Sequence, residues 1–182
     1  THDVPKIYHV PLMLQEQGLC DILGVDCSAT GMLDDWKAMA FHLDTLTEEV
    51  HIAMVGKYTD LSDAYLSVIK SLQHAAMAVD RKLVIDWIEA SHLEEDWAAE
   101  DHEAAWAALR KADGVLVPGG FGDRGVEGKI RAAHYARTEG VPYLGICLGL
   151  QIATIEFCRN VLGMTCANST EFEDNPEHAA VV

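Results

Sequence analysis

Residues 142–151 read Pro142-Tyr143-Leu144-Gly145-Ile146-Cys147-Leu148-Gly149-Leu150-Gln151. A short apolar run, a cysteine set between two glycines as G-x-C-x-G, and a second apolar stretch describe a strand that turns sharply into a helix. Such a turn lifts one side chain above the sheet, as the serine version of this elbow does. Moving back along the chain, short β-rich runs at 50–55, 83–88 and 114–117 precede the one at 142–146. Between them, Ala64, Tyr65, Val68, Ile69, Leu72, Ala75, Ala76 and Val79 make a wide apolar stripe, and residues 102–111 and 126–138 carry further helical patterns. Strands that alternate with helices build β-α-β units and a parallel sheet. Right-handed crossovers cover both faces of such a sheet, so the expectation is an α/β fold: a flavodoxin-like, doubly wound layer.

Ahead of Val50 the texture differs. Val10-Pro11-Leu12-Met13-Leu14 followed by Gly18 predicts a short helix, with proline in its first turn and glycine at its end. Met32, Leu33, Trp36, Met39, Ala40 and Leu43 recur at helical spacing and predict a second, amphipathic one. This helical leader is expected to pack on a surface outside the chain. The sequence opens on Thr1 and ends at Val181-Val182 after a polar stretch, so it reads as an internal piece whose core is incomplete at the C-terminal end. It contains no repeat and no low-complexity tract.

A length of 182 residues suits one core plus a leader, and 49% hydrophobic with 23% charged residues is ordinary for a globular protein. No apolar run is long enough to cross a bilayer as a helix. A formal charge of −16 repels phosphate backbones and argues against a nucleic-acid partner, while single nucleotides need only a few cations and backbone amides. The cysteines at 20, 27, 147, 158 and 166 are odd in number and form no C-x-x-C pair, which suits a reducing compartment and makes the cytoplasm the expected location. Asn168-Ser169-Thr170 matches a glycosylation acceptor, but the start of the chain carries no basic-then-apolar secretion signal. The histidines show no metal-ligand spacing, so no metal site is expected.

In an open α/β sheet, ligands bind beyond the carboxyl ends of the strands. Cys147 stands there, over the amino end of the next helix, where partial positive charge stabilises an anionic sulfur. After the run at 114–117 comes Pro118-Gly119-Gly120-Phe121-Gly122-Asp123-Arg124-Gly125, rich in unobstructed N–H groups. The Gly120 and Leu148 amides are placed to hold the oxyanion of a tetrahedral intermediate. Read alone, the cysteine is equally an inert core thiol, and the loop an ordinary turn or a phosphate cradle, although it lacks the Gly-Lys-Ser/Thr ending of a triphosphate loop. Asn168-Ser169-Thr170-Glu171-Phe172 offers further polar groups for a substrate, or a solvated loop.

Taken together, residues 118–129, 142–151 and 168–172 resemble three hallmark segments of the CTP synthase family, in order and at family-like spacing. The resemblance extends to Val-Gly-Lys-Tyr-Thr-Asp-Leu-Ser-Asp-Ala-Tyr at 55–65 and to Ile-Tyr-His-Val-Pro-Leu-Met-Leu-Gln-Glu-Gln-Gly at 7–18. It implies a class I glutamine amidotransferase domain that hydrolyses L-glutamine and passes ammonia to a synthetase domain, where UTP, activated by ATP with Mg²⁺, becomes CTP. By motif position, Cys147 is the nucleophile and the amides of Gly120 and Leu148 are the oxyanion hole. Phe121, Gln151 and Glu171 hold glutamine, and Arg124 belongs to a lid through which GTP activates the glutaminase step. Residues 1–24 correspond to the end of the synthetase domain, 25–49 to a linker and 50–182 to the larger part of the amidotransferase domain. The family implies a homotetramer.

One departure from the pattern bears on catalysis. The family's His-x-Glu pair follows far downstream, and His178, the one histidine after Cys147, is followed by Ala179-Ala180 and does not match it. The segment by itself is therefore expected to be a poor glutaminase. The rival readings are an amidotransferase of another pathway, a truncated binding or assembly module, and a cysteine peptidase or peroxide-handling enzyme on the same layer.

Overall fold

The computed structural model describes Tyr8 and residues 22–24, 34–57 and 62–182. Strands β1 (Glu49–Gly56), β2 (Lys82–Glu89), β3 (Gly114–Val117) and β4 (Tyr143–Gly145) form a parallel sheet in the order β2-β1-β3-β4. The helices are α1 (Asp34–Thr45), α2 (Leu66–Ala78), α3 (Ala99–Lys111), α4 (Val126–Glu139) and α5 (Leu148–Asn160). The step from β1 to β2 runs one way across the sheet, and the steps from β2 to β3 and β4 run the other. Right-handed crossovers therefore put α2 on one face and α3 and α4 on the opposite one, the doubly wound arrangement expected from the sequence.

All four residues of Gly114-Val115-Leu116-Val117 are buried, as an inner parallel strand covered on both faces requires. Ala53, Val55, Val115 and Val117 meet Ala105 and Leu109 of α3 and Ala132 and Ala136 of α4. Met54 and Leu116 point to the other face and are buried there too. On α4 and α5, Val126, Ile130 and Ala133 pack against Leu148, Ile152 and Ile155, two stripes at helical spacing. Farther along this seam Glu156, 3% exposed, accepts a two-pronged guanidinium bond from Arg137 at 2.8–3.1 Å and lies 2.8 Å from His134 Nδ1. Burial pushes the Glu156 pKa up, but the bonds from Arg137, His134 and Asn160 outweigh it and leave the carboxyl below its ordinary range.

Two expectations are corrected. Helix α1 is the amphipathic helix read at 32–43, but it is not standing free. Trp36 Nε1 donates to the Tyr8 carbonyl at 2.7 Å, the Tyr8 hydroxyl lies 3.1 Å from His74 Nε2 on α2, and His42 Nε2 lies 3.4 Å from the Met77 carbonyl. Tyr8 and α1 thus pack on α2 of this same chain. The helix read at 10–18 lies outside the described residues. Within 168–172, Asn168 and Ser169 belong to a short strand, β5 (Ala167–Ser169), which pairs in parallel with β6 (His178–Val181) in a separate two-stranded sheet, while 170–172 keep the expected turn. Both strands are too short to leave a periodic signal.

Beneath the 118–125 loop, α4 rests on the 3₁₀ turn Ala90–Leu93 that follows β2. A Cβ on Gly128 would overlap the Ala90 carbonyl oxygen. Beside it Lys129 is 2% exposed, and its Nζ has no hydrogen-bond partner among the described residues. Burial first, then the positive charge of Lys57, brings its pKa down to about 8, against the pull of Glu89 and Glu94.

Two outcomes are expected. In an exposed helix Gly→Ala gains ~1 kcal/mol, but at Gly128 the backbone contact reverses the sign, so Gly128→Ala should destabilise by roughly 1–3 kcal/mol in thermal or urea unfolding. Between pH ~8 and the ordinary lysine value, folded Lys129 is neutral while the unfolded side chain still binds a proton, so stability should rise with pH across that window. Lys129→Met should flatten that rise and stabilise the protein at pH 7 by up to roughly 3 kcal/mol, read from unfolding curves at several pH values.

Candidate active site

The carboxyl ends of β1, β3 and β4 converge on one rim of the sheet. The end of β4 carries the elbow. Cys147 adopts φ 53° and ψ −107°, a backbone conformation that a residue with a side chain rarely takes, and it is exposed. Two close approaches impose it. A Cβ on Gly145 would overlap the carbonyl group of Gly149, and a Cβ on Gly149 would overlap the Val117 carbonyl oxygen. The Ile146 amide donates to that same Val117 carbonyl at 3.0 Å. Beyond the turn, the Leu150 and Gln151 amides donate to the Cys147 carbonyl at 3.0 and 3.2 Å, and the partly buried Tyr143 hydroxyl donates to the Gly149 carbonyl at 2.8 Å. Burial pushes the Tyr143 phenol well above its ordinary range, which keeps it protonated as a donor.

The loop after β3 lies against this elbow. The Cβ direction of Gly119 points at Cys147 Cβ, 3.6 Å away, and that of Gly120 at Leu148 Cδ2, 3.5 Å away. Gly120, Cys147 and Leu148 are thereby neighbours across two strand ends. Leu148 opens α5, so its N–H has no carbonyl a turn earlier to bond with, and it sits at the positive end of the helix. A thiol on a strained turn beside amides of this kind is equipped to add to a carbonyl and hold the oxygen that becomes negative.

The remaining sequence-derived residues fall into three situations. Gln151 lies on the first turn of α5, and its Oε1 is buried with no hydrogen-bond partner among the described residues. The Phe121 ring is 89% exposed, and it is the carbonyl of this residue that the structure engages, through Lys57 Nζ. Glu171 is exposed in the turn after β5, where its amide donates to Ser169 Oγ at 3.1 Å; Phe172 beside it packs on the cluster that contains Leu148 and Ile152. Arg124 pairs with Glu89 at the end of β2, 3.1 Å away, which ties the far side of the loop to the sheet.

Lys57, Glu89 and Tyr143 were not singled out from the sequence. All three sit on strands or at their carboxyl ends, and the strand-end rule applied to every strand rather than two would have found the first pair. Among the described residues no histidine bonds to Cys147, and no group of three or more His, Cys, Asp or Glu side chains is arranged to hold a metal ion. No described helix is long and apolar enough to cross a membrane.

Comparison with known proteins agrees with this geometry. The family model described as glutamine amidotransferase class-I matches residues 60–179. The chain is 52% identical over 192 residues to a CTP synthase of Dictyostelium discoideum, covering 94% of this chain and 34% of that protein. It is 50% identical over 191 residues to CTP synthase 1 of Homo sapiens, covering 100% of this chain and 32% of that protein. The chain thus spans about a third of the length of the curated relatives it matches. Among solved structures, the glutaminase domain of Trypanosoma brucei CTPS with bound acivicin superposes with a TM-score of 0.63 at 45% identity, over 71% of this chain and 48% of that one. With the elbow, the glycine loop and the 2-1-3-4 sheet in place, this chain belongs to the class-I glutamine amidotransferase family, and the relatives it resembles along its length are CTP synthases.

Proposed function

We propose that this chain is the glutamine-hydrolysing part of a CTP synthase, with Cys147 as its nucleophile. The observation that carries the reading is the junction of Gly119 and Gly120 with Cys147 and Leu148 at the rim of the sheet. The Cys147 sulfur attacks the side-chain amide carbon of L-glutamine as the carbonyl π pair moves to oxygen. The Gly120 and Leu148 amides receive that oxyanion. Collapse breaks the C–N bond, the nitrogen leaves as ammonia once protonated, and the thioester left on Cys147 is hydrolysed to glutamate. Gln151, Phe121 and Glu171 orient glutamine.

The proton carrier in this scheme is the His-x-Glu pair that the family resemblance places after residue 182. By the same resemblance, ammonia aminates UTP in a synthetase domain that uses ATP with Mg²⁺. GTP activates hydrolysis through the lid bearing Arg124, and the complete protein is a cytoplasmic homotetramer. Residues 1–24 and 25–49 are the synthetase tail and the linker to it.

In a full-length CTP synthase carrying these residues, Cys147→Ser should abolish glutamine-dependent CTP formation and leave ammonia-dependent formation intact. A folded variant that keeps glutamine-dependent activity overturns the assignment, and one that loses both activities shows that Cys147 is not simply a nucleophile. Gln151→Ala should raise KM for glutamine roughly tenfold, the equivalent of about one buried hydrogen bond, in a coupled ammonia-release assay.

A further inference from the structure

The glycine-rich loop is anchored by a residue that takes no part in the scheme above. Lys57 directly follows β1, is 8% exposed, and donates from Nζ to the Phe121 carbonyl at 2.9 Å and the Gly122 carbonyl at 3.2 Å. Its own carbonyl accepts the Tyr65 hydroxyl at 2.6 Å. A Cβ on Gly56 would meet that hydroxyl at 3.3 Å and Pro118 Cγ at 3.4 Å, so the end of β1, Tyr65 and the first residue of the loop form one packed unit. The loop has few side chains of its own to fix it, since three of the residues 118–122 are glycine. Glycine loses the most conformational freedom on ordering, and charge-assisted bonds to two successive carbonyls are the interaction that offsets this loss.

We propose that Lys57 is a positioning residue for glutamine hydrolysis. The two carbonyls it holds follow Gly120 immediately, and neither peptide turns without losing a bond to a buried ammonium group. Lys57 thus keeps the Gly120 amide beside Cys147 and Leu148, in readiness for the oxyanion. The inference rests on the reading of Cys147 as nucleophile and Gly120 as oxyanion donor.

The test uses a full-length CTP synthase carrying these residues and two thiol probes. With glutamate γ-semialdehyde, the Cys147 sulfur adds reversibly to the aldehyde carbon and the π pair passes to oxygen, so affinity reports on the oxyanion hole. With iodoacetamide, sulfur displaces iodide at a saturated carbon and no oxyanion develops, so its rate reports only on the thiol. Lys57→Met should lower the glutaminase kcat and the semialdehyde affinity by about a hundredfold each, with KM for glutamine, iodoacetamide alkylation and ammonia-dependent CTP formation within about threefold of the parent. Lys57→Arg, which keeps donors for both carbonyls, should recover most of the loss. Lys57→Leu, which also lacks a donor, gives the same readings if the methionine variant does not fold.

Unchanged kcat and semialdehyde affinity overturn the proposal. So does a loss that falls equally on iodoacetamide alkylation and ammonia-dependent synthesis, which marks a general structural role. Cys147→Ser is run alongside: if it retains glutaminase activity, the underlying reading fails, whereas an inactive Cys147→Ser with a fully active Lys57→Met strikes only the role of Lys57.

Discussion

The first turn of α5 rests directly on the carbonyl that ends β3. At Gly149 there is no room for a single carbon between the two, and the Ile146 amide bonds to the same Val117 oxygen. This contact sets the angle at which α5 leaves the sheet, and the angle in turn sets the backbone of Cys147 between them. Everything that makes the cysteine unusual follows: its positive φ, its exposure above the rim, and the Leu148 amide just past it at the head of a helix. Strain at Cys147 persists because its neighbours leave no alternative, which is how strained residues survive at functional sites.

A second layer of close contact places the loop. Gly128 brings α4 against the Ala90 carbonyl, and the stripe of Val126, Ile130 and Ala133 locks α4 to α5. The loop between β3 and α4 is therefore pinned at both ends by packing and in the middle by Lys57 and the Arg124–Glu89 pair. In a chain whose formal charge is −16, three cations, Lys57, Arg124 and Lys129, gather at this corner. Burial first, and then the charges of Lys57 and Arg124, lower the Lys129 pKa.

Much of this was legible in the sequence. Apolar runs of strand length alternating with helical stripes give the parallel layer, because a sheet covered on both faces needs continuous apolar strands. The edges of β1, β2 and α3 fell one to three residues outside the runs read for them, since hydrophobic periodicity fades where an element nears solvent. The short strands β5 and β6 left no signal, because three or four residues with polar members satisfy no period. The docking of α1 on α2 depends on Tyr8 and Trp36, whose pairing across 28 positions no local pattern announces.

By itself the sequence determined the layer, the order of its elements and the identity of the reactive turn, because periodicity and glycine spacing are local properties that backbone sterics translate directly into strands, helices and tight turns. Only the tertiary structure decided which carbonyls those glycines approach, that Gly120 lies beside Leu148, that Gln151 Oε1 is buried without a partner among the described residues, and that Lys57 reaches 64 residues along the chain to the Phe121 carbonyl. Such contacts join strand ends that are distant in sequence, and they exist once the sheet has set its strands side by side.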